Sequence, residues 1–247
     1  MRNMTETVKQ LIIINIIFFI GTQLVGDVAF KYLSLYYPEN HDFMYWQPLS
    51  HMFMHGGVMH IFFNMFALYS FGTTLEQYWG SKKFLFFYIS CGLGAALIHI
   101  LSNYYFFHQG LNELIANGMS KTEIMNVLSQ GKYDSRWAEI LPKSDFQSFI
   151  SSYVTPAVGA SGAVYGVLVA FAFMFPEAEL MLIFLPIPIK AKYFVPVIVG
   201  LDLFSGVTGF SIFGDGIAHF AHVGGALFGF LMMWYWKNNQ FKKNRWN

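Results

Sequence analysis

The chain has 247 residues, of which 55% are hydrophobic, 19% are aromatic and only 12% are charged. A soluble domain carries about twice that charged fraction, so the composition excludes an ordinary soluble domain and favours a membrane protein. The net charge of +1 gives no basic surface for nucleic acid, and the single cysteine excludes an intramolecular disulfide and a cysteine-based zinc site.

Six apolar segments approach the roughly 20 residues that a bilayer-spanning helix needs. We predict spans at about residues 11–29, 57–75, 84–107, 157–175, 193–210 and 216–236. The sequence therefore predicts an all-α polytopic membrane protein, a six-transmembrane-helix bundle formed as a single domain over residues 1–247. The first span has the short apolar core of a signal peptide, but no small-residue cleavage motif follows it. We therefore expect an uncleaved signal anchor.

Two segments between the predicted spans have other patterns. Residues 108–153 are the only long polar region, and we expect them to form an outer loop in which Glu113–Leu128 could be an amphipathic helix. The apolar run Leu180–Ile189 is too short to span, and Pro186 and Pro188 interrupt a helix there. We expect this run to lie in the membrane interface, within the loop before the fifth span.

The distribution of lysine and arginine favours one orientation in the membrane. Most of these residues fall on the side of the two termini, and four of the five on the other side lie in the long loop. Long loops have little influence on topology. We therefore expect an integral protein of a bacterial plasma (inner) membrane, surrounded by membrane lipid, with its N- and C-termini in the cytoplasm.

A serine and a histidine on two predicted spans have the chemistry of a nucleophile and its base. Ser161 begins the fourth span between Gly159 and Gly162, and His222 lies about two turns into the sixth. Serine is a poor nucleophile until a base takes its proton, and histidine is the usual base. Both spans cross the membrane in the same direction, so the two side chains can lie at a similar depth.

Small residues on the same two spans allow their helices to approach closely. Gly162 and Gly166 lie four residues apart on the fourth span, and Ala221, Gly225 and Gly229 have the same spacing on the sixth. This pattern is common wherever membrane helices pack, whatever their function. Here it would also bring the base to the nucleophile.

A tetrahedral intermediate needs hydrogen-bond donors for its oxyanion. The start of the fourth span offers the free backbone N–H of Ser161. His60 and Asn64, four residues apart on the second span, offer a ring N–H and an amide N–H. An intramembrane asparagine is also common as a simple interhelical hydrogen-bonding group, and that alternative stays open for Asn64.

No acid is obviously placed to orient His222, because Asp202 and Asp215 belong to the neighbouring span or loop. We interpret Asp215 as a loop or capping residue. We therefore predict a Ser–His dyad rather than a triad. Tyr165, one turn after Ser161, could stack on the imidazole of His222 and hold it without a carboxylate.

Histidines near the predicted site raise the alternative of a metal centre. The relevant residues are His51, His55, His60, His219 and His222. The glutamate of an HExxH motif is missing, and the segments carry no acid, so we predict neither a metal nor any other cofactor. We expect His51, His55 and His219 to be hydrogen-bonding groups at the outer helix ends, and His99 to be a satisfied interior histidine.

In combination, these motifs resemble those of the rhomboid intramembrane serine proteases. Residues 60–64 resemble the HxxxN motif of the family, and residues 159–162 resemble its GxSG motif, with Tyr165 matching the tyrosine one turn later. Residues 221–229 resemble the AHxxG…G span, and residues 72–80 resemble GxxxExxxG. The motifs occur in the family's order on the corresponding spans.

The resemblance implies a rhomboid-like bundle with a water-filled cavity open to the outside. It implies that Ser161 is the nucleophile and His222 the base, with an oxyanion hole made of Asn64, His60 and the Ser161 N–H. It also implies a structural role for Glu76. The implied substrates are single-span membrane proteins, cut in or near the membrane at small residues that have helix-destabilising neighbours.

The chain departs from the family pattern in its first outer loop and in residues 108–153. Gln47 follows Trp46 where an arginine is often found, and the long loop leaves the route of substrate access open. Two other functions remain as alternatives. One is a catalytically inactive rhomboid-like protein that binds membrane clients, although such relatives usually lack the serine or the histidine. The other is a transporter, which would carry more charge within its spans.

Overall fold

The computed structural model describes residues 4–182, 185–210 and 217–243, and most of them are helical. The N-terminal helices are α1 (Glu6–Val25), α2 (Asp27–Leu33), α3 (Gln47–Ser50), α4 (Val58–Ala67), α5 (Thr73–Trp79) and α6 (Ser81–Ala116). The later helices are α7 (Lys121–Ser129), α8 (Trp137–Ile140), α9 (Lys143–Val154), α10 (Ser161–Met174), α11 (Ala191–Thr208) and α12 (His219–Lys243). Strands β1 (Glu179–Leu182) and β2 (Leu185–Lys190) lie between α10 and α11. A 3-10 turn (His51–Phe53) follows α3, and a π-helical turn (Leu68–Gly72) joins α4 to α5.

Four helical segments are long and apolar enough to cross a membrane, counted over the described ranges. They are α1, the continuous segment Val58–Trp79, α6 and α11. The other two predicted spans correspond to α10, which has 14 residues, and to α12, which has 25. The prediction of a helical protein with several membrane spans is confirmed, whereas the number of six stays a prediction.

Gly26 divides the first predicted span into two helices. Its φ angle of 69° lies in the left-handed region, where glycine has no Cβ to clash. Its N–H donates to the carbonyl oxygen of Thr22 at 2.8 Å, which closes the end of α1. The single helix predicted over residues 11–29 is therefore α1 followed by the short α2.

Glu76 on α5 caps the beginning of α1. Its carboxylate accepts hydrogen bonds from the backbone N–H groups of Thr7 at 3.0 Å and Val8 at 2.9 Å. The hydroxyl groups of Thr5 and Ser81 donate to it as well, each at 2.6 Å. The first N–H groups of a helix have no partner within the helix and favour negative charge. One side chain thus ties together the first turn of α1, the end of α5 and the start of α6.

The helices α6, α10 and α12 form the centre of the fold, and α10 and α12 meet backbone to backbone. A Cβ atom added at Gly225 would lie 1.8 Å from the carbonyl oxygen of Gly162, and one added at Gly229 would lie 2.7 Å from the Cα of Gly166. Gly166 also faces Cys91 of α6, whose sulfur would be 2.4 Å from an added Cβ. The close approach predicted from the small-residue pattern is therefore present at these positions.

Residues 117–154 form a small helical cap with its own apolar core. Trp137 and Phe149 are almost fully buried there, together with Phe107 of α6. The prediction of one amphipathic helix over Glu113–Leu128 is wrong, because α6 extends to Ala116 and the chain turns at Gly118 before α7. The φ angle of Gly118 is 85°, which ends the helix.

The apolar run before α11 forms part of an antiparallel pair of strands, and its expected place in the membrane interface stays a prediction. Leu180 of β1 pairs with Ile189 of β2. Each strand of a two-stranded sheet has a free edge, and an edge tolerates the prolines of this run. The side chain of Glu177 joins the pair to α11, since it accepts hydrogen bonds from Lys190 at 2.8 Å and from Lys192 at 2.5 Å.

Candidate active site

Ser161 is the first residue of α10. Gly159, two residues before it, has an unusual backbone conformation. The φ angle of Gly159 is 130°, which other residues rarely adopt. The N–H of Gly159 donates to the carbonyl oxygen of His51 at 2.9 Å, which ties the segment before α10 to the 3-10 turn His51–Phe53. Ser161 is only partly buried, and its own N–H is one of the unpaired donors at a helix N-terminus.

The structure brings Ser161 and His222 together. The Oγ of Ser161 lies 2.8 Å from the Nε2 of His222, which is hydrogen-bonding distance. The ring of Tyr165 stacks on the imidazole, with centroids 4.3 Å apart and ring planes inclined by 12°. Tyr165 is one turn after Ser161 on α10, so the same helix carries the serine and supports the face of the histidine.

Asp202 on α11 also contacts His222, a contact that the sequence pattern does not predict. Its Oδ1 lies 3.1 Å from the Nδ1 of His222 and 2.6 Å from the Nδ1 of His219. Its Oδ2 accepts a hydrogen bond from the hydroxyl of Tyr165. The prediction that no acid is placed to orient His222 is therefore wrong. Asp215, interpreted as a loop or capping residue, lies outside the described residues.

Close contact between α11 and α12 explains why Asp202 reaches His222. Gly206 lies one turn after Asp202, and a Cβ added there would be 3.0 Å from the ring of Phe220 on α12. Asp202 itself is 1% exposed. A carboxylate inside an otherwise apolar span was the signal available in the sequence, because such a residue is costly unless it is paired. Its partner depends on helix rotation, which the linear pattern does not specify.

His60, Gly159 and Ser161 surround one small space. A Cβ atom at residue 159 would lie 2.8 Å from the Nε2 of His60 and 3.4 Å from the Oγ of Ser161. The Nδ1 of His60 accepts the N–H of Gly56 at 3.5 Å, a long contact that favours the tautomer with hydrogen on Nε2. Glycine at position 159 therefore leaves open a space that a ring N–H and a hydroxyl both border.

Asn64 follows His60 by one turn on α4 and is 6% exposed. Its Nδ2 has no hydrogen-bond partner within the part of the chain that the structure describes. A buried amide nitrogen without a partner costs about 1–3 kcal/mol. Asn64 thus retains an unused donor, which a purely structural asparagine would be expected to satisfy.

The histidines of the loop before α4 are buried and stay neutral near neutral pH. Burial lowers the pKa of His51 to about 4, although its Nδ1 donates to the carbonyl oxygen of Gln47 at 2.9 Å. Burial and the nearby His60 lower the pKa of His55 to about 4. The expected hydrogen-bonding role is present for His51. In contrast, neither ring nitrogen of His55 has a hydrogen-bond partner among the described residues.

A small pocket beside Ser161 is lined mostly by glycine and alanine, including Gly92, Ala95 and Ala157. His51 and Met52 complete part of its wall. Such a pocket accommodates only a small group next to the serine. Over residues 4–182, 185–210 and 217–243, no group of three or more His, Cys, Asp or Glu residues is arranged to hold a metal ion.

Comparison with known protein families gives a match over most of the chain. The rhomboid domain model matches residues 42–142 and 101–239, which include every residue of the site described above. The chain belongs to the rhomboid family. Its Ser161, His222, His60 and Asn64 all lie within the matched rhomboid domain.

Curated relatives of this rhomboid chain carry mitochondrial names. The presenilin-associated rhomboid-like protein, mitochondrial, of Rattus norvegicus is 32% identical over 154 residues, which are 58% of this chain and 40% of that protein. The Homo sapiens protein of the same name is 31% identical over 154 residues. Rhomboid protein 1, mitochondrial, of Saccharomyces cerevisiae is 26% identical over 183 residues, which are 74% of this chain and 39% of that protein. The chain thus spans about two-fifths of the length of these relatives.

Proposed function

We propose that this rhomboid is an intramembrane serine endopeptidase that cleaves transmembrane segments of single-span membrane proteins. The observation that carries the proposal is the 2.8 Å contact between the Oγ of Ser161 and the Nε2 of His222. A serine in contact with a histidine base is the minimal arrangement for nucleophilic acyl transfer. Membership in the rhomboid family adds support from an independent comparison.

In the proposed reaction, the Nε2 of His222 takes the hydroxyl proton of Ser161 as Oγ attacks the carbonyl carbon of the scissile peptide bond. His222 then gives that proton to the leaving amine, and an acyl-enzyme remains on Ser161. A water molecule attacks the ester in the second half, again with His222 as base, and the serine is restored. Proton transfer by a positioned base contributes about a hundred- to ten-thousand-fold to the rate.

The oxyanion would form in the space bordered by Ser161, Gly159 and His60. The Nε2 of His60 and the Oγ of Ser161 border this space, and the Ser161 N–H belongs to the same residue as that Oγ. The unused amide of Asn64 lies one turn after His60 on α4. Donors placed where negative charge develops stabilise the transition state more than the ground state. We assign His60, Asn64 and the Ser161 N–H to this role.

The proposed substrate must expose an extended peptide bond to Ser161, because a peptide bond in a regular helix is already hydrogen-bonded. Helix-destabilising residues in a transmembrane segment would lower the cost of that unwinding. The pocket of glycine and alanine beside Ser161 favours a small side chain next to the cleaved bond. These features support transmembrane protein substrates rather than soluble peptides of arbitrary sequence.

The membrane that holds the protein is a separate part of the proposal. The names of the relatives refer to mitochondria, and they give no support to the bacterial plasma membrane expected from the sequence. The relatives favour a mitochondrial membrane. Fractionation of cells that produce a tagged form of the chain tests this, because co-sedimentation with plasma membrane markers would contradict it.

The activity is tested with purified protein in detergent, a fluorophosphonate probe and a model single-span substrate. We expect the wild type to be labelled and to cleave, and Ser161→Ala to do neither. The control is Ser102→Ala on α6, where the hydroxyl donates to the carbonyl oxygen of His99 rather than to His222. Equal labelling of wild type and Ser161→Ala would remove Ser161 as nucleophile. Substrate binding without cleavage by the wild type would favour the inactive client-binding alternative.

A further inference from the structure

Asp202, His222 and Ser161 form a line of contacts in which His222 lies between the carboxylate and the serine hydroxyl. We propose that Asp202 is a positioning residue that holds His222 in the tautomer whose Nε2 faces the serine and that balances the charge His222 gains during catalysis. This inference rests on the proposed function. It replaces the predicted Ser–His dyad with a dyad oriented by a third residue.

The contacts of Asp202 determine which nitrogen of His222 carries the hydrogen. An ionised carboxylate only accepts hydrogen bonds, so the 3.1 Å contact with Oδ1 requires hydrogen on the Nδ1 of His222. The Nε2 of the neutral ring then has a free lone pair, and it lies 2.8 Å from the hydroxyl of Ser161. This is the form of histidine that can take the serine proton.

The carboxylate is itself held from two sides. The Nδ1–H of His219 donates to Oδ1 at 2.6 Å, and the hydroxyl of Tyr165 donates to Oδ2. Asp202 is 1% exposed, and the hydrogen-bond partners described for its carboxylate are His219, His222 and Tyr165. The carboxylate therefore has little freedom to turn away from His222 between reaction cycles.

The arrangement also accounts for the charge that appears during the reaction. When His222 takes the proton of Ser161 it becomes an imidazolium, and the nearby carboxylate stabilises this cation in a surrounding of low dielectric constant. The proton then passes from Nε2 to the leaving amine. Asp202 stays ionised throughout, and the hydrogen on Nδ1 stays where it is.

A structural role alone would not favour an aspartate in this position. An unpaired carboxylate within a membrane span costs a few kcal/mol or more, and two packed apolar side chains could join α11 to α12 without that cost. Stability and catalysis therefore give different expectations. Removal of the charge by Asp202→Asn should impair turnover and change its pH dependence, whereas a purely structural residue should alter stability alone.

The test compares wild type with Asp202→Asn in detergent, by rate of cleavage of a model single-span substrate and by fluorophosphonate labelling across pH. The amide NH₂ can donate to Nδ1 and so move the hydrogen of His222 to Nε2, facing the serine. We expect kcat to fall by about a hundred- to ten-thousand-fold with little change in KM. The upper end of this range is the loss that the same Asp→Asn change causes in a Ser–His–Asp triad.

The pH dependence of cleavage distinguishes a residue that positions His222 from one that only stabilises the fold. Asp202→Asn lacks the carboxylate that balances the imidazolium of His222, so the pH profile of its residual activity should differ from that of the wild type. The other titratable side chains that face Asp202 or His222 are Tyr165, His219, His60 and His99. These are the same in both proteins and do not produce the difference.

Asp27→Asn is the matched control, because Asp27 is exposed in the first turn of α2, and we expect wild-type kinetics. Wild-type kcat and an unshifted pH profile in Asp202→Asn would overturn the inference. In that case, cleavage by the wild type that depends on Ser161 would still support the proposed function. A wild type that neither cleaves nor is labelled would overturn the function itself.

A measurement on the wild type covers the case in which Asp202→Asn fails to fold. ¹⁵N NMR of histidine-labelled protein in detergent micelles reports which ring nitrogen of His222 is protonated, with the resonance assigned by its loss in His222→Gln. We expect hydrogen on Nδ1 and none on Nε2 in the resting enzyme. The opposite tautomer would overturn the inference.

Discussion

At the scale of single residues, the site combines donors that serve the fold with donors that remain unused. The Nδ1 of His51 is engaged with the carbonyl oxygen of Gln47. In contrast, the amide nitrogen of Asn64 is buried without a partner among the described residues. An unused buried donor is unfavourable in the resting protein and becomes favourable when negative charge develops nearby. This difference distinguishes a candidate oxyanion donor from a packing residue.

Substitution of Asn64 by alanine tests this distinction. We expect kcat to fall about a hundred- to a thousand-fold, the range for loss of one oxyanion donor. The melting temperature should not fall, because alanine removes a buried donor that has no partner. The measurement is cleavage of the model substrate together with thermal unfolding in detergent. Asn103→Ala is the matched control, since Asn103 is buried on α6 and contacts the Nε2 of His99 at 3.2 Å. Unchanged kcat in Asn64→Ala would remove Asn64 from the oxyanion hole.

The residues that sequence reasoning found and missed differ in the kind of information they need. Ser161 and His222 stand out because each has glycine or alanine neighbours at fixed spacing, which a linear pattern records. Asp202 was visible as a charge in a span, but its contact with His222 depends on the rotation of α11 about its axis. No periodicity in one helix specifies that rotation relative to another.

At the scale of elements, contact between α10 and α12 determines whether base and nucleophile meet. Their backbones touch where Gly225 faces the carbonyl oxygen of Gly162, three residues after His222 and one after Ser161. Any side chain at Gly225 must push α12 away, and interiors packed this closely do not absorb such a change locally. The distance between Ser161 and His222 therefore depends on two glycines that take no part in the chemistry.

Replacement of Gly225 by leucine should abolish cleavage, because the helices that carry Ser161 and His222 separate. Gly200→Leu on α11 is the matched control, since a Cβ there meets no atom within 4 Å and the position is exposed. We expect this control to retain wild-type activity. Cleavage and fluorophosphonate labelling are measured for both variants after purification in detergent. Full activity of Gly225→Leu would contradict the dependence of the site on this contact.

The elements themselves were predicted with different success. Long apolar runs located α1, α6 and α11, since length and hydropathy are properties of the sequence alone. The pairing of β1 with β2 was missed, because Pro186 and Pro188 argue against a helix but do not identify a partner strand. The break at Gly118 was missed as well. Its left-handed backbone is one of several conformations that glycine adopts freely.

At the scale of the whole molecule, buried neutral histidines make stability depend on pH. Burial lowers the pKa of His51 from its ordinary value of 6.5 to about 4 in the folded protein. As the pH falls, His51 therefore takes up a proton near pH 6.5 in the unfolded chain but only near pH 4 in the folded protein. Stability is full above pH 6.5 and decreases as the pH falls from 6.5 to 4, by up to about 3 kcal/mol for one such group.

Thermal unfolding between pH 7.5 and 4 tests this expectation. The melting temperature of the wild type should decrease below about pH 6.5, and His51→Gln should decrease less because one proton-linked group is gone. His41→Gln is the control, since the side chain of His41 is 55% exposed, and we expect it to follow the wild type. Identical pH dependence in wild type and His51→Gln would contradict a contribution from His51.

The thiol of Cys91 has a practical consequence for the study of helix motion. It is the single cysteine of the chain, it is fully buried on α6, and its sulfur faces Gly166 on α10. A maleimide can alkylate it only after these two helices part at that level. The natural sequence thus carries its own reporter. The rate of alkylation in proteoliposomes measures how often α6 and α10 separate at the level of Cys91.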